Sequence, residues 1–313
     1  MLKIGMLTSG GDCQGLNAAL RGVAKTLYNE LGDKVTIYGI RDGYRGLIEG
    51  DYHEMLPEDF SDILTVGGTI LGTSRQPFKE MRKTIEDSEE TKLDKMLHTV
   101  KKAGFDCLVI LGGNGTHKTA NLLSMKGVNV VTLPKTIDND LVLTDHTPGY
   151  GSAARYVAAS VREIALDASV YQQKSVTIVE IMGRHAGWLT AASALARKEA
   201  GDNPLLIYLP EAPFELAQFN DDLKKAFEKT ANVIVCVSEG IRDHGGRFIC
   251  EYSTEAQVDT FGHKMLAGCG KILENYVRNQ FGVKVRSVEL NVNQRCSGLT
   301  VSATDLNEAE MAG

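Results

Sequence analysis

No apolar run in this chain approaches the ~20 residues that a membrane-spanning helix needs, and no positive excess points to nucleic acid or an anionic membrane as partner. The net charge is −6, the wrong sign for either as the main partner. An acidic protein can still hold a phosphate in a local cluster of Arg and Lys. The opening MLKIGMLTSGGD reads straight into a strand and turn, without the charged-then-apolar pattern of a secretory signal. Six cysteines (Cys13, Cys107, Cys236, Cys250, Cys269, Cys296) show no CxxC spacing. Several lie in or beside apolar runs, so buried free thiols and a reducing cytoplasm are expected. Repeats and low-complexity tracts are also missing, and no GxxxxGK[ST] segment occurs.

What is present is a soluble-enzyme composition, 43% hydrophobic and 24% charged over 313 residues, a length that suggests two lobes. Short β-branched runs alternate with helical patterns. Strands are expected at Lys3–Leu7, Lys34–Gly39, Asp106–Leu111, Val128–Leu133, Ser175–Ile181, Leu205–Leu209, Val233–Ser238 and Val285–Leu290. Helices are expected at Leu16–Leu31, Asp94–Ala103, Thr116–Ser124, Ala153–Ala168 and Leu216–Lys229. Near-continuous apolar strands between helices imply mainly parallel sheets covered on both faces. Ligands of such sheets bind beyond the carboxyl ends of the strands. The stretch 241–260 is polar and carries no motif.

Four segments at those strand ends carry chemistry. Thr8-Ser9-Gly10-Gly11-Asp12, with Gly15 and Asn17, follows the first strand, and its paired glycines let backbone N–H groups approach a phosphate. Leu111-Gly112-Gly113-Asn114-Gly115-Thr116 repeats the design, with Thr116 as an expected N-cap and Lys118 and Lys135 as nearby cations. Either alone reads equally well as a plain glycine turn. Together they suit an elongated polyphosphate. In Pro134-Lys135-Thr136-Ile137-Asp138-Asn139-Asp140, Asp138 and Asp140 alternate along an extended chain and would face one site with Thr136. Phosphoryl transfer needs an oriented acceptor hydroxyl and a metal, one carboxylate for each; an isolated Asp-Asn-Asp would be only a solvated turn. Met182-Gly183-Arg184-His185-Ala186-Gly187 ends another strand, and Arg184 suits bidentate phosphate contact. Glu239, Arg286 and Arg295 fit a sugar-phosphate acceptor, although each alone reads as a surface ion pair. Arg75 would reach the transferring phosphoryl group, and His185 is expected to be structural.

With SGGDCQGLN, GGTILGTSR, GGNGT, PKTIDND, MGRHAGWL, PEAPF, VSEG and RSVELNVNQR in this order, the chain resembles the phosphofructokinase family over nearly its whole length. The resemblance implies two Rossmann-like α/β lobes. Residues 1–149 with 294–313 would bind the phosphoryl donor, and residues 150–293 the sugar phosphate. It implies transfer of the terminal phosphoryl group of ATP to the 1-hydroxyl of fructose 6-phosphate in glycolysis. By resemblance Gly11, Tyr44, Arg75, Gly113, Asn114, Gly115, Thr116 and Lys135 serve the donor. Asp138 is the base, and Asp140 with Asn114 holds Mg2+. Thr136, Asp138, Asp140, Met182, Gly183, Arg184, Glu239, Arg286 and Arg295 line the acceptor site, with Arg75 and Arg184 also acting on the transferring group. A homodimer or homotetramer in which Arg286 serves a neighbouring subunit is implied as well.

The chain departs from the family pattern at Asn114, where Asp is usual, at Ser175, where bacterial ATP enzymes carry arginine, and at Val292, where they carry histidine. Of the basic effector positions Arg21 remains, with Glu211 and Lys25, which implies weak or absent ADP activation. The family continues past the segment 303–313, whereas this sequence stops inside a helical pattern, as a portion of a longer chain would. Gly115 leaves room for a nucleotide and favours ATP, while Lys135 is common in pyrophosphate users. A catalytically silent sensor is the reading from another class. A relative of the NAD or lipid kinases, which share a GGDGT-type loop, would not need PKTIDND and MGRHAG together.

Overall fold

In the computed structural model, residues 1–11, 13–85, 89–252 and 268–313 are described; Asp12 of the first glycine loop and 253–260 of the motif-free stretch lie outside them. Contacts divide the chain into two units. The first comprises Met1–Ile137, Leu141–Ala153 and Arg295–Gly313, and the second Asp138–Asp140 and Ala154–Gln294.

The first unit is built on β1 (Leu2–Ser9), β2 (Val35–Ile40), β3 (Tyr52–Met55), β4 (Cys107–Gly112) and β5 (Val130–Pro134), in the order β3-β2-β1-β4-β5. Central β1 pairs in parallel with β2 and β4. Its Ile4, Met6 and Leu7 are buried, which is why it reads as one apolar run. Helices α1 (Gly15–Leu31), α2 (Tyr44–Glu49), α3 (Lys92–Ala103) and α4 (Asn114–Ser124) connect the strands. The antiparallel edge strand β3 was not expected from the sequence. Four residues, three of them polar-tipped, give no readable alternation, and only the left-handed Gly50 that ends α2 marks the reversal.

The second unit carries β6 (Ser175–Ile181), β7 (Leu206–Tyr208), β8 (Asn232–Ser238) and β9 (Lys284–Glu289), all parallel, in the order β7-β8-β6-β9. Helix α5 (Tyr150–Ser169) begins in the first unit and continues into the second; α6 (Trp188–Ala192), α7 (Leu216–Lys229) and α8 (Cys269–Phe281) belong to the second. Val176, Ile178, Val233, Val235 and Val237 pack against Phe214, Phe219, Leu223, Leu273 and Val277. The expected strands and helices all form, with ends displaced by at most three residues. The α/β class read from the sequence is therefore the class observed.

Two close approaches hold helices in place. After the short α9 (Asn293–Cys296), α10 (Ala303–Ala312) lies so near α1 that a Cβ on Gly22 would stand 2.1 Å from the Glu310 carbonyl oxygen. On β6, Glu180 is 4% exposed. Its carboxyl oxygens accept the Gly270 N–H at 2.7 Å and the Gly268 N–H at 3.0 Å, so Glu180 caps the start of α8. Burial outweighs these bonds and pushes its carboxyl up to about 7.

Gly22→Ala should therefore lower stability by about 1–2 kcal/mol despite the better helix propensity of Ala; an unchanged urea midpoint would contradict the packing. For Glu180 the folded state keeps a proton that the unfolded chain releases near pH 4.5. Stability should thus fall as pH rises from about 4.5 to 7, and in Glu180→Gln this part of the slope should vanish. The slope is the readout, because the Gln amide would oppose one glycine N–H and shift absolute stability too.

Candidate active site

In the first unit the two glycine loops follow the adjacent strands β1 and β4, which run in parallel register from Ile4↔Cys107 to Ser9↔Gly112. Parallel pairing sends both loops off the same edge. They are cross-linked there. Lys135, 5% exposed, hydrogen-bonds through Nζ to the Gly11 carbonyl, while its backbone N–H binds the Gly112 carbonyl at 3.0 Å. The Thr116 hydroxyl donates to the Ser9 carbonyl at 3.3 Å, so Thr116 also ties the second loop to the first. Thr116 is not the N-cap expected from the sequence. Helix α4 starts at Asn114 with Gly113 as N-cap, because Thr116 packs its side chain against Gly112 and spends its hydroxyl on Ser9.

Gly10, at φ +93°, takes a conformation suited to glycine. Its N–H reaches the Ser74 carbonyl at 3.4 Å, and the Thr73 hydroxyl donates to its carbonyl at 2.6 Å. These bonds place exposed Arg75, the next residue, beside the first loop. Thr73 and Ser74 were not singled out from the sequence; only their place directly before Arg75 signals them. Tyr44 is buried, and its hydroxyl donates to the Thr116 carbonyl at 2.8 Å. Burial drives its phenol far above the ordinary range, so it acts as a neutral strut under α4. Asn114 and Gly115 are exposed, and a Cβ on Gly115 would meet no atom within 4 Å. Arg295 groups with this unit: a Cβ on Gly11 would stand 3.4 Å from its Nη1. Thr136 also belongs here, its carbonyl accepting from the Thr147 hydroxyl at 2.5 Å.

Asp138, Asn139 and Asp140 group with the second unit. The segment is not extended as expected, because Asn139 adopts φ +54°. A left-handed residue breaks the alternation of side chains, and Asn tolerates that conformation better than most residues.

The Met182–Gly187 loop at the carboxyl end of β6 is fixed by four contacts. The Met182 N–H donates to Gln294 Oε1 at 3.3 Å and the Gly183 N–H to Glu239 Oε1 at 3.3 Å. The Ser238 hydroxyl donates to the Gly183 carbonyl. The Gly187 N–H donates to Glu211 Oε1 at 2.7 Å. Gly183 has φ +134°, and a Cβ there would meet the Ala186 carbonyl oxygen at 2.5 Å, so a side chain is excluded. Glu239, Gly183 and Arg184 are thus brought together as the sequence implied.

Arg286 is not brought to them within one chain. It pairs with Thr177 across β9 and β6, five residues before Met182, or about 16 Å along a strand. There it makes an ion pair with Asp167 at 3.3 Å. Among the effector positions, Arg21 and Lys25 both face Glu310 of α10.

Comparison with known proteins gives a consistent answer. The profile described as Phosphofructokinase matches residues 3–304. An ATP-dependent 6-phosphofructokinase from Spirochaeta thermophila is 45% identical over 239 residues, which cover 75% of this chain and 63% of that protein. A pyrophosphate–fructose 6-phosphate 1-phosphotransferase from Amycolatopsis methanolica is 36% identical over 97% of this chain and 83% of its own length. The crystal structure of a pyrophosphate-dependent phosphofructokinase from Marinobacter aquaeolei superposes with a TM-score of 0.81 at 25% identity, covering 99% of this chain and 73% of that one. Motifs, topology and likeness agree, and the chain belongs to the phosphofructokinase family.

Proposed function

We propose that this chain is an ATP-dependent 6-phosphofructokinase that transfers the terminal phosphoryl group of ATP to the 1-hydroxyl of fructose 6-phosphate. The observation that carries the reading is the cross-linked pair of glycine loops on one sheet edge, clamped through Lys135 and Thr116. It presents backbone N–H groups from two turns to one polyphosphate. Gly11, Gly113, Asn114, Gly115 and Thr116 would hold the donor, with Arg75 on its terminal phosphate and Tyr44 bracing α4. Thr136, Met182, Gly183, Arg184, Glu239 and Arg295 would bind the acceptor. Asp138 would take the proton of the attacking hydroxyl, because a carboxylate suffices as base for an aligned alcohol.

Among the described residues no three His, Cys, Asp or Glu side chains cluster into a cation cage. This fits Mg2+, which ordinarily takes one or two protein ligands and completes its shell with phosphate oxygens and water. Asp140, with the weaker Asn114 amide, would hold it, and the ion would neutralise charge on the donor phosphates.

Pyrophosphate is the second donor, favoured by Lys135 and by the pyrophosphate-dependent relatives. Two observations support ATP. The space beyond Gly115 is open. Lys135 also has a task in joining the loops that does not depend on the donor. Arg286, remote from Arg184 in its own chain, would serve a neighbouring copy. Exposed Leu166, Val170, Tyr171 and Leu195 offer apolar surface on the same unit for a homodimer or homotetramer. No helix among the described residues is long and apolar enough to cross a membrane. With free cysteines throughout, we place the protein in the cytoplasm.

Coupled assays should show turnover with ATP and fructose 6-phosphate; turnover with pyrophosphate alone overturns the donor assignment. Asp138→Ser should cut kcat by about 10²–10⁴ while ligand binding persists, whereas a sensor would show no wild-type turnover to lose. Sedimentation should give a dimer or larger assembly, and a monomer at assay concentration would remove the trans role of Arg286.

A further inference from the structure

Several arginines have a carboxylate partner, as Arg21 has Glu310, Arg45 has Asp42, Arg278 has Glu274 and Arg286 has Asp167. Two that both act on one imidazole, that of His185, do not. Arg184 follows Gly183 at the carboxyl end of β6, and Arg242 lies beyond β8, three residues after Glu239. Among the described residues no carboxylate forms an ion pair with either guanidinium. Both are half-buried. His185 connects them: Arg242 Nη2 donates to its Nδ1 at 2.9 Å. Burial, then the charges of Arg242 and Arg184, hold the imidazole below its ordinary range, while Asp140 pulls the other way. The imidazole in this pair is therefore a neutral acceptor and offers no counter-charge.

Arg242 is held where it is. Its carbonyl accepts the Phe214 N–H at 2.6 Å, its backbone bridges to Pro213 and Phe248, and its guanidinium lies 4.1 Å above the Phe248 ring. With one face on Phe248 and one N–H on His185, the remaining N–H donors of the fork are unspent. An arginine cannot relieve like-charge repulsion by losing its proton. Two half-buried guanidinium groups that both act on one imidazole, with Asp140 the one carboxylate opposing them there, are stabilised when an anion joins them.

We propose that Arg242 is a second phosphate-binding guanidinium of the acceptor site, acting beside Arg184. The ligand chemistry is a phosphate group, carried by the sugar-phosphate acceptor or by the end of the donor. The assignment rests on the kinase reading for the identity of that ligand, though not for the existence of the anion site. It supplies from within the chain a cation that Ser175 and Val292 do not. Sequence reading missed it because 241–260 holds no motif; only the fold carries Arg242 back to the Met182–Gly187 loop.

Isothermal titration of R242M with fructose 6-phosphate, and separately with Mg·ATP, tests the proposal. Affinity for fructose 6-phosphate should fall about tenfold or more, with R242K recovering part of the loss and the thermal midpoint unchanged. Loss of Mg·ATP affinity instead would assign the phosphate to the donor. Affinities for both within about threefold of wild type, or equal losses in R242M and R242K with a lowered midpoint, would overturn it. Inorganic phosphate titrated into the wild-type protein should shift the Arg242 Nε–H resonance, an outcome independent of how the variants fold. No shift would count against the site. A phosphate shift in a protein that forms no product from fructose 6-phosphate would leave the anion site standing and remove only its assigned ligand.

Discussion

Apart from the antiparallel edge strand β3, the strands of both units run parallel, and parallel strands release their chains at one edge. Backbone N–H groups there are not yet spent on the sheet and not yet taken up by the following helix. That constraint decides where this protein can hold phosphate. Every glycine-rich segment that carries a proposed role lies just past a carboxyl end: Gly10–Gly11 after β1, Gly112–Gly115 at β4, and Gly183 after β6. The rest of each unit holds these turns still. Lys135 and Thr116 lock the first two together, and Ser238 with Glu239 locks the third.

Charge is distributed by the same logic. Several arginines are neutralised by nearby carboxylates in pairs that contribute little beyond solubility. Buried carboxylates bond backbone: Glu180 caps α8, and Asp305 accepts the Gly149 N–H at 2.8 Å where α5 begins. At the β6 edge, by contrast, the Arg242 guanidinium bonds a neutral imidazole rather than a carboxylate. The proposed phosphate site is thus a local positive region in an acidic chain, of which net charge gives no hint.

The fold was legible because buried parallel strands write themselves as apolar runs, and Ser175–Ile181 formed with the ends read from the sequence. Edge strand β3, half polar and four residues long, left no such trace. Local geometry was less legible than identity. Thr116 was singled out correctly as a residue of the second loop, yet its hydroxyl reaches Ser9 rather than capping α4, a partner 107 positions away. Asp138 and Asp140 looked like alternate residues of an extended segment until Asn139 turned the chain. Arg286 and Arg295 were both assigned to the acceptor site, but contacts group them in different units. Sequence singled out candidate residues; tertiary pairing decided which of them meet.

The central claim is that the paired glycine loops and the Asp138 segment serve one phosphoryl transfer. Its most direct measurement is the 31P NMR spectrum of the protein mixed with Mg2+, ATP and fructose 6-phosphate. The account predicts that the ATP terminal resonance declines while a sugar 1-phosphate resonance grows in step with ADP. A spectrum that stays unchanged with ATP and again with pyrophosphate would contradict it.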